Sequence, residues 1–232
     1  TKNEEAPGVE VETVSEEEYE VTRVKVLDER GEESLGKPKG VYITIEAPKL
    51  KNTDQDLKDK ISQVVAKEIV GLGLNNKNTK TLIIGLGNWN VTPDALGPKV
   101  IDRVLVTRQY FISYDKEEDE TVANVSALSP GVMGLTGIET GEIVKGIVEK
   151  TNPDLVIAID ALASRKMDRV STTIQISDTG INPGSGIGNK RQGLNEAYLG
   201  VPVLAIGVPT VVDAATMIND TMDLILDSMK SV

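Results

Sequence analysis

The sequence contains neither cysteine nor histidine among its 232 residues. Without cysteine, the chain cannot form disulfides, thiolate nucleophiles or thiolate metal sites. Without histidine, it cannot use Ser-His or Cys-His catalysis, and an ordinary zinc site with imidazole ligands is also excluded. Any acid–base chemistry must therefore come from aspartate, glutamate, lysine or tyrosine.

Long apolar runs and an excess of positive charge are also missing. No run approaches the roughly 20 apolar residues that a helix needs to cross a bilayer, so we expect no membrane partner. The 36 acidic residues outnumber the 25 basic ones, and the resulting net charge of -11 repels phosphate backbones. We therefore expect no nucleic-acid partner. At 39% hydrophobic and 26% charged residues, the composition is that of a globular protein with a buried core.

The apolar pattern changes along the chain. Residues 1–18 are acidic and weakly patterned, which indicates a solvated tail or edge. Segments 19–27 and 41–46 alternate like the strands of an antiparallel ribbon, and residues 54–72 carry the single apolar stripe of an amphipathic helix. From residue 81 onward, apolar runs at 81–86, 154–159, 172–176 and 201–206 alternate with helical stretches at 98–107, 139–150 and 213–229.

This alternation is typical of a parallel sheet covered on both faces. We predict a doubly wound α/β fold with a mainly parallel sheet flanked by helices and an antiparallel N-terminal extension. Residues 1–232 are expected to form one domain, with the acidic segment and ribbon in residues 1–50 and the α/β core in residues 51–232.

Two aspartates follow strands where α/β sheets bind ligands, which is beyond the carboxyl ends of the strands. Asp160 follows the apolar run 155–159, and Asp94 follows the run 81–86 at another strand-to-helix junction. Each has a structural interpretation, Asp160 as the cap of a following helix and Asp94 as an acid favourable to a helix N-terminus. Together, two carboxylates that share a proton can activate water and protonate a leaving group. The pair therefore predicts a hydrolase.

Glycine-rich segments at 129–137 and 177–188 supply further candidates. Backbone amides of the glycines at 131–137 or 184–188 are possible donors to an oxyanion. Asp178 begins an Asp-Thr-Gly triplet like that of the all-β pepsin-like proteases, but in an α/β chain a turn or a site lining is the better interpretation. Lys190 and Arg191 either contact acidic substrate residues or are solvated loop charges. The candidates for binding substrate or an oxyanion are Gly131, Gly134, Thr136, Glu139, Asp178, Gly184, Gly186, Lys190 and Arg191.

Five long motifs resemble the germination protease family of endospore-forming bacteria. They are GLGNWNVTPDALGP at 85–98, PGVMGLTGIET at 130–140, NPDLVIAIDALA at 152–163, QISDTGINPGSGIGNKR at 175–191 and AIGVPTVVDA at 205–214. The resemblance extends from about residue 40 to about residue 220. Motifs of this length are far more specific than a short fingerprint.

The resemblance implies an atypical aspartic-type endopeptidase whose two essential aspartates match Asp94 and Asp160, with no metal or cofactor. It implies a self-processing zymogen that degrades small acid-soluble spore proteins during germination, in the cytoplasm of the spore core. It also implies a homo-oligomer, specifically a homotetramer. The core is expected to be similar to that of hydrogenase-maturation peptidases, which hold a metal in a comparable place.

Two other functions remain open at this point. One is a carboxylate-metal hydrolase of the hydrogenase-maturation type, with a hard cation bound by Asp94, Asp160 and Glu139. Because the chain has no histidine, such a site would favour magnesium, calcium or manganese over zinc. The other is a non-catalytic module that binds an anion in the loop at 184–188.

Overall fold

The computed structural model describes residues 6–52, 55–74, 78–117, 119, 121–182 and 192–212. Within these ranges, eight strands form one mixed sheet in the order β1-β2-β3-β7-β8-β6-β4-β5. The strands are β1 (Val9–Ser15), β2 (Glu20–Val26), β3 (Gly40–Glu46), β4 (Thr81–Gly85), β5 (Val125–Leu128), β6 (Leu155–Ser164), β7 (Thr173–Ser177) and β8 (Val203–Val212). Strands β8, β6, β4 and β5 are neighbours in that order and run parallel to one another. On the other side of β8, each neighbouring pair is antiparallel: β8 with β7, β7 with β3, β3 with β2, and β2 with β1.

Seven α-helices in the described ranges connect or cover these strands. They are α1 (Glu29–Leu35), α2 (Gln55–Gly71), α3 (Leu96–Ile101), α4 (Arg108–Ser113), α5 (Met133–Thr136), α6 (Thr140–Thr151) and α7 (Glu196–Leu199). Short 3-10 turns occupy Leu50–Asn52, Thr92–Asp94 and Met167–Arg169. None of the helices described here has the length and apolar character required to span a bilayer.

The core lies on both faces of the sheet, because side chains alternate along each strand. On one face, Val156 and Ala158 of β6 pack with Val144 and Val148 of α6 and with Leu199 of α7. On the other face, buried residues of β2, β3, β6, β7 and β8 pack against Val64, Val65 and Ile69 of α2. The predicted α/β class with helices on both faces is therefore confirmed.

Several predicted elements are confirmed, with adjusted boundaries. The ribbon is β2 and β3, the helix at 54–72 is α2, and the stretch at 139–150 is α6, which begins after Glu139. The helical stretch at 98–107 is shorter than expected, since α3 ends at Ile101 and α4 begins only at Arg108. The acidic start contains an edge strand, β1, and the helical stretch predicted at 213–229 lies outside the described residues.

The strand predicted at 172–176 differs in direction from the expectation. This strand, β7, runs antiparallel to β8 rather than parallel to it, so the sheet is mixed rather than mainly parallel. The connection from β6 at residues 165–172 contains only a 3-10 turn. A strand parallel to β6 would need a crossover connection of about a dozen residues or more to bring the chain back to the other edge of the sheet. The connection here is shorter, so β7 starts at the edge where β6 ends and runs in the opposite direction. Strand β3 pairs with β7, and the N-terminal ribbon thereby joins the same sheet.

An ion pair attaches α2 to β2. Arg23 donates from Nε to Glu68 Oε2 at 2.7 Å and from Nη2 to Glu68 Oε1 at 2.6 Å, and Glu68 is only 6% exposed. The hydrogen bonds that Arg23 donates to the Glu68 carboxylate raise the pKa of Arg23 above its ordinary value. Two parallel charge-assisted bonds of this kind also fix the relative orientation of the two elements.

We expect Glu68→Gln to lower the free energy of unfolding by about 1–2 kcal/mol, because it removes the buried carboxylate that pairs with Arg23 and leaves Arg23 with the exposed Glu12 carboxylate at 3.3 Å. Equilibrium chemical denaturation measures this loss. The matched control is Lys60→Gln, which removes the exposed pair between Lys60 and Glu18. That change should cost no more than about 0.5 kcal/mol. Equal losses in the two variants would contradict a special role for the Arg23–Glu68 pair.

Candidate active site

The strands β6 and β8 extend beyond the carboxyl end of β4, and this difference in length creates the site. The pairing of β4 with β6 ends where Gly85 lies opposite Ile159, and Leu86 N then donates to Ile159 O at 2.8 Å. Asp160 is the next residue of β6, and its neighbour on the other side is Gly207 of β8. Asp160 therefore lies inside a strand. Its interpretation as a helix cap was wrong.

Asp160 is buried, with 6% of its surface exposed. Since side chains alternate along a strand, it shares a face with Val156 and Ala158 of the apolar core. Its Oδ1 accepts a hydrogen bond from Ala161 N at 2.9 Å. Burying a carboxyl group beside apolar side chains costs free energy unless hydrogen bonds or protonation offset the loss of hydration. A buried aspartate at such a position is therefore a candidate for a functional role.

Asp94 lies in a loop that closes back on the end of β4. Asn88 N donates both to Asp94 Oδ2 at 2.8 Å and to Asp94 O at 3.0 Å. Gly87 has φ +114°, and a Cβ at this position would lie 2.0 Å from Asp94 O, so only glycine allows the approach. The carboxylate of Asp94 is thus held by a backbone amide at the strand end, and Ala95 occupies the N-cap position of α3.

The turn at Thr92–Asp94 packs against β6 and β8, and Thr210 Oγ1 of β8 donates to Pro93 O at 2.6 Å. The structure therefore brings the loop of Asp94 and the strand of Asp160 to one edge of the sheet. Their joint role in catalysis stays a prediction.

The segment after β5 lies at the same edge, because β5 is parallel to β4. It contains Gly131, Gly134 and Thr136, whose Oγ1 accepts from Ile138 N at 3.2 Å. The amide of Gly137, one of the possible oxyanion donors at 131–137, donates to Met133 O at 2.8 Å within this segment. Glu139 is the N-cap residue of α6, where its backbone N–H donates to Glu142 Oε2 at 3.3 Å.

The carboxylate-metal alternative required Asp94, Asp160 and Glu139 to converge. Among the residues that the structure describes, no three acidic side chains are grouped so that they could hold a metal ion. The described residues therefore lend no geometric support to that ligand set, which stays untested. The candidates Gly184, Gly186, Lys190 and Arg191, and with them the anion-binding loop of the non-catalytic alternative, lie outside the described residues.

Asp178 has a structural role. Its Oδ1 accepts from Val41 N at 2.7 Å, and its own N–H donates to Val41 O at 3.3 Å. These two bonds continue the pairing of β3 with β7 beyond its last paired residues, Tyr42 and Ser177. The interpretation of Asp178 as a turn residue rather than a catalytic acid is thus supported by its contacts.

A cleft of about 450 Å³ lies on the sheet and reaches β6 at Leu162, although Asp160 is not itself among its lining residues. Its floor includes Tyr42 and Thr44 of β3, Gln175 and Ser177 of β7, and Gly207 of β8. Gly207 is the neighbour of Asp160 in the sheet, so the floor reaches the strand of the buried aspartate. Sequence reasoning missed this cleft, although polar residues at alternate positions of β3 and β7 were a usable signal.

Two of the described residues that line the cleft are cationic. Lys37 Nζ lies 4.5 Å from the centroid of the Tyr42 ring, and Arg169 Nη2 lies 2.9 Å from Glu46 Oε1. Burial raises the pKa of Tyr42, so this phenol stays protonated at neutral pH and donates to Pro38 O at 2.7 Å. The cleft therefore offers neutral hydrogen-bonding groups and positive charge to a ligand.

Fold and site together define an α/β protein of the hydrolase type, with two aspartates at the carboxyl edge of a parallel sheet segment and a cleft beside one of them. A family model described as Germination protease matches residues 1–231. The chain belongs to the germination protease family and is a peptidase.

Relatives in several bacteria support the same assignment. The chain is 54% identical over 228 residues to the germination protease of Caldanaerobacter subterraneus subsp. tengcongensis, covering 98% of this chain and 70% of that protein. It is 51% identical to the germination protease of Clostridium tetani, covering 98% and 71%, and 52% identical to that of Bacillus mycoides, covering 97% and 63%.

Among solved structures, the chain is similar to the [NiFe] hydrogenase maturation protease HycI from Thermococcus kodakarensis. The TM-score is 0.36 at 20% identity, over 60% of this chain and 83% of that protein. A likeness at this level supports no conclusion about activity.

We expect Asp178→Asn to retain wild-type activity and to change the free energy of unfolding by less than about 0.5 kcal/mol, because the amide oxygen still accepts from Val41 N. Asp178→Ala leaves that amide without its acceptor and should cost about 1–2 kcal/mol. Peptide-cleavage assays and chemical denaturation test both variants. Complete loss of activity in folded Asp178→Asn would make Asp178 a catalytic residue.

Proposed function

We propose that this germination protease is an aspartic-type endopeptidase with Asp94 and Asp160 as its catalytic pair. The observation that supports this most directly is the position of Asp160, buried in β6 beside the cleft, at the edge where the loop of Asp94 closes. Because the chain has no histidine or cysteine, carboxyl groups are the natural source of proton transfer near neutral pH.

In this mechanism the two carboxyl groups hold one proton and one water between them. The ionised group takes a proton from the water, whose oxygen attacks the peptide carbonyl carbon. The protonated group donates its proton to the carbonyl oxygen, and a tetrahedral intermediate forms. When the C–N bond breaks, the carboxyl group that took the water proton gives it to the leaving nitrogen. The other, now ionised, carboxylate takes the proton of one hydroxyl as the carbonyl forms again, so the pair returns to its starting state. The two groups titrate as a unit, so their macroscopic pKa values belong to the pair.

We propose that the cleft binds the segment of substrate next to the scissile bond. Of the described residues that line it, two are cationic and none is acidic, in a chain whose net charge is -11. Arg169 is paired with Glu46, whereas Lys37 forms no salt bridge with any described carboxylate. Lys37 is therefore placed to pair with an acidic side chain of the substrate.

The substrates that we propose are the small acid-soluble spore proteins, cleaved in the spore core during germination. We also propose that the chain is made as a self-processing zymogen and works as a homotetramer. These proposals rest on the membership of the chain in the germination protease family.

Asp94→Asn and Asp160→Asn should each reduce kcat by orders of magnitude, because an amide keeps the shape of the side chain but cannot exchange the proton. The double variant should be no worse than either single one, since members of a catalytic unit are not additive. The measurement is single-turnover cleavage of a purified small acid-soluble spore protein, with the cuts mapped by mass spectrometry.

Two controls accompany this experiment. Activity of the wild type should survive exhaustive chelation, because proton exchange between carboxyl groups needs no cation; loss on chelation and recovery with manganese or magnesium would favour metal-dependent hydrolysis. A precursor with an N-terminal extension should lose that extension in the wild type and keep it in Asp160→Asn. Full activity in either folded aspartate variant contradicts the proposed pair.

Lys37→Gln should lower kcat/KM by about tenfold for a peptide with glutamate in the cleft, and leave the matched glutamine peptide unchanged, because only the charged pair is lost. The assay compares peptides that differ by Glu or Gln at each position around the scissile bond. Lys39→Gln is the matched control, since Lys39 is near in sequence but does not line the cleft. An unchanged ratio between the two peptides in Lys37→Gln would show that Lys37 does not select substrate.

A further inference from the structure

The pairing of β6 with β8 contains a bulge next to the candidate catalytic pair. Leu162 is paired with Pro209, but the next residue of β6, Ala163, is paired with Val211. Thr210 is therefore the extra residue on β8. Pro209 has no backbone N–H to donate to the ladder, and prolines inside sheets occur at such irregularities.

A bulge bends its strand and redirects side chains, and bulges are frequent beside active sites. Here the redirected side chain reaches another part of the chain, since Thr210 Oγ1 donates to Pro93 O at 2.6 Å across 117 positions of sequence. Pro93 directly precedes Asp94, and both belong to the turn at Thr92–Asp94. The bond therefore ends one peptide unit from the candidate catalytic aspartate.

The loop of Asp94 is thus held at two points. Asn88 N holds the carboxylate and the carbonyl of Asp94 from the end of β4, whereas Thr210 holds the turn from β8. Strand β8 is paired with β6 along its length, including the pair of Gly207 with Asp160. The bond from Thr210 thus connects the turn of Asp94 to the strand pair that carries Asp160.

We infer that Thr210 is a positioning residue for the hydrolysis, which sets Asp94 at its working distance from Asp160. This inference rests on the proposed catalytic pair. Two carboxyl groups that share one proton and one water need their geometry within a fraction of an ångström, and a shift of about 1 Å can cost about 100-fold in rate. Loss of the hydroxyl should therefore affect the chemical step more than the folding or the binding of substrate.

The test compares Thr210→Val, which keeps the shape and removes the donor, with Thr210→Ser, which keeps the donor. We expect Thr210→Val to lower single-turnover kcat about tenfold or more with unchanged KM, and Thr210→Ser to stay within about threefold of wild type. The matched control is Thr22→Val, which removes an exposed hydroxyl that contacts Thr13 on the far side of the sheet. Its kcat should not change, and its denaturation midpoint should shift as much as that of Thr210→Val. If Thr210→Val does not fold, Thr210→Ala is compared with Thr210→Ser in the same way.

Wild-type kcat in folded Thr210→Val, or an equal loss in Thr210→Ser, overturns the inference. A rise in KM without a fall in kcat also overturns it, because that result would place Thr210 in substrate binding. Asp94→Asn is measured in parallel to distinguish failure of the positioning role of Thr210 from failure of the proposed catalytic pair. If Asp94→Asn is inactive and Thr210→Val is fully active, only the positioning role fails; if Asp94→Asn is active, the proposed pair itself fails.

Discussion

The parallel pairing of β6 with β8 is the interaction on which the rest of the molecule depends. On one side, β6 continues the parallel segment through β4 to β5, and on the other, β8 begins the antiparallel segment through β7 to β3. Both strands run past the end of β4, so the last residues of β6 have no β4 partner, and the ends of β6 and β8 form the edge of the site. The buried aspartate, the bulge and one part of the floor of the cleft, Gly207, lie on this pair.

Two residues of β8 are unfavourable in a central strand. Gly207 offers no side chain to pack, and Pro209 cannot donate to the ladder. At Gly207 the missing side chain has a use, because a Cβ there would lie 2.4 Å from Leu162 Cδ1 on the wall of the cleft. Breaks in local rules of this kind are expected at functional sites, where shape is favoured over local stability.

Backbone amides hold both aspartates of the proposed catalytic pair. The carboxylate of Asp94 accepts a hydrogen bond from the backbone amide of Asn88, and that of Asp160 accepts one from the amide of Ala161. Asp178 uses the same kind of bond for structure alone, joining β3 to β7. The three aspartates thus accept the same kind of hydrogen bond but lie in different places: Asp178 joins two strands, whereas the proposed pair lies at the edge of the sheet near the cleft.

Much of the fold and part of the candidate site followed from local patterns. Alternation in β2 and β3, the stripe of α2 and the apolar runs of β4, β6 and β8 identify elements because burial acts on each residue according to its own spacing. The same patterns did not identify β1, whose side chains are mostly exposed, or the four residues of β5. Burial is a weak guide for a short or solvated strand.

The sequence by itself determined the class of chemistry, because a chain without cysteine and histidine leaves carboxyl groups, lysine and tyrosine, and its long motifs identify the family. Only the tertiary structure decided the direction of β7, the position of Asp160 inside a strand, and the cleft shared by β3, β7 and β8. It alone also brought Thr210 to Pro93. These features depend on which strands become neighbours, and pairing between distant segments is set by the whole packed sheet rather than by any local pattern.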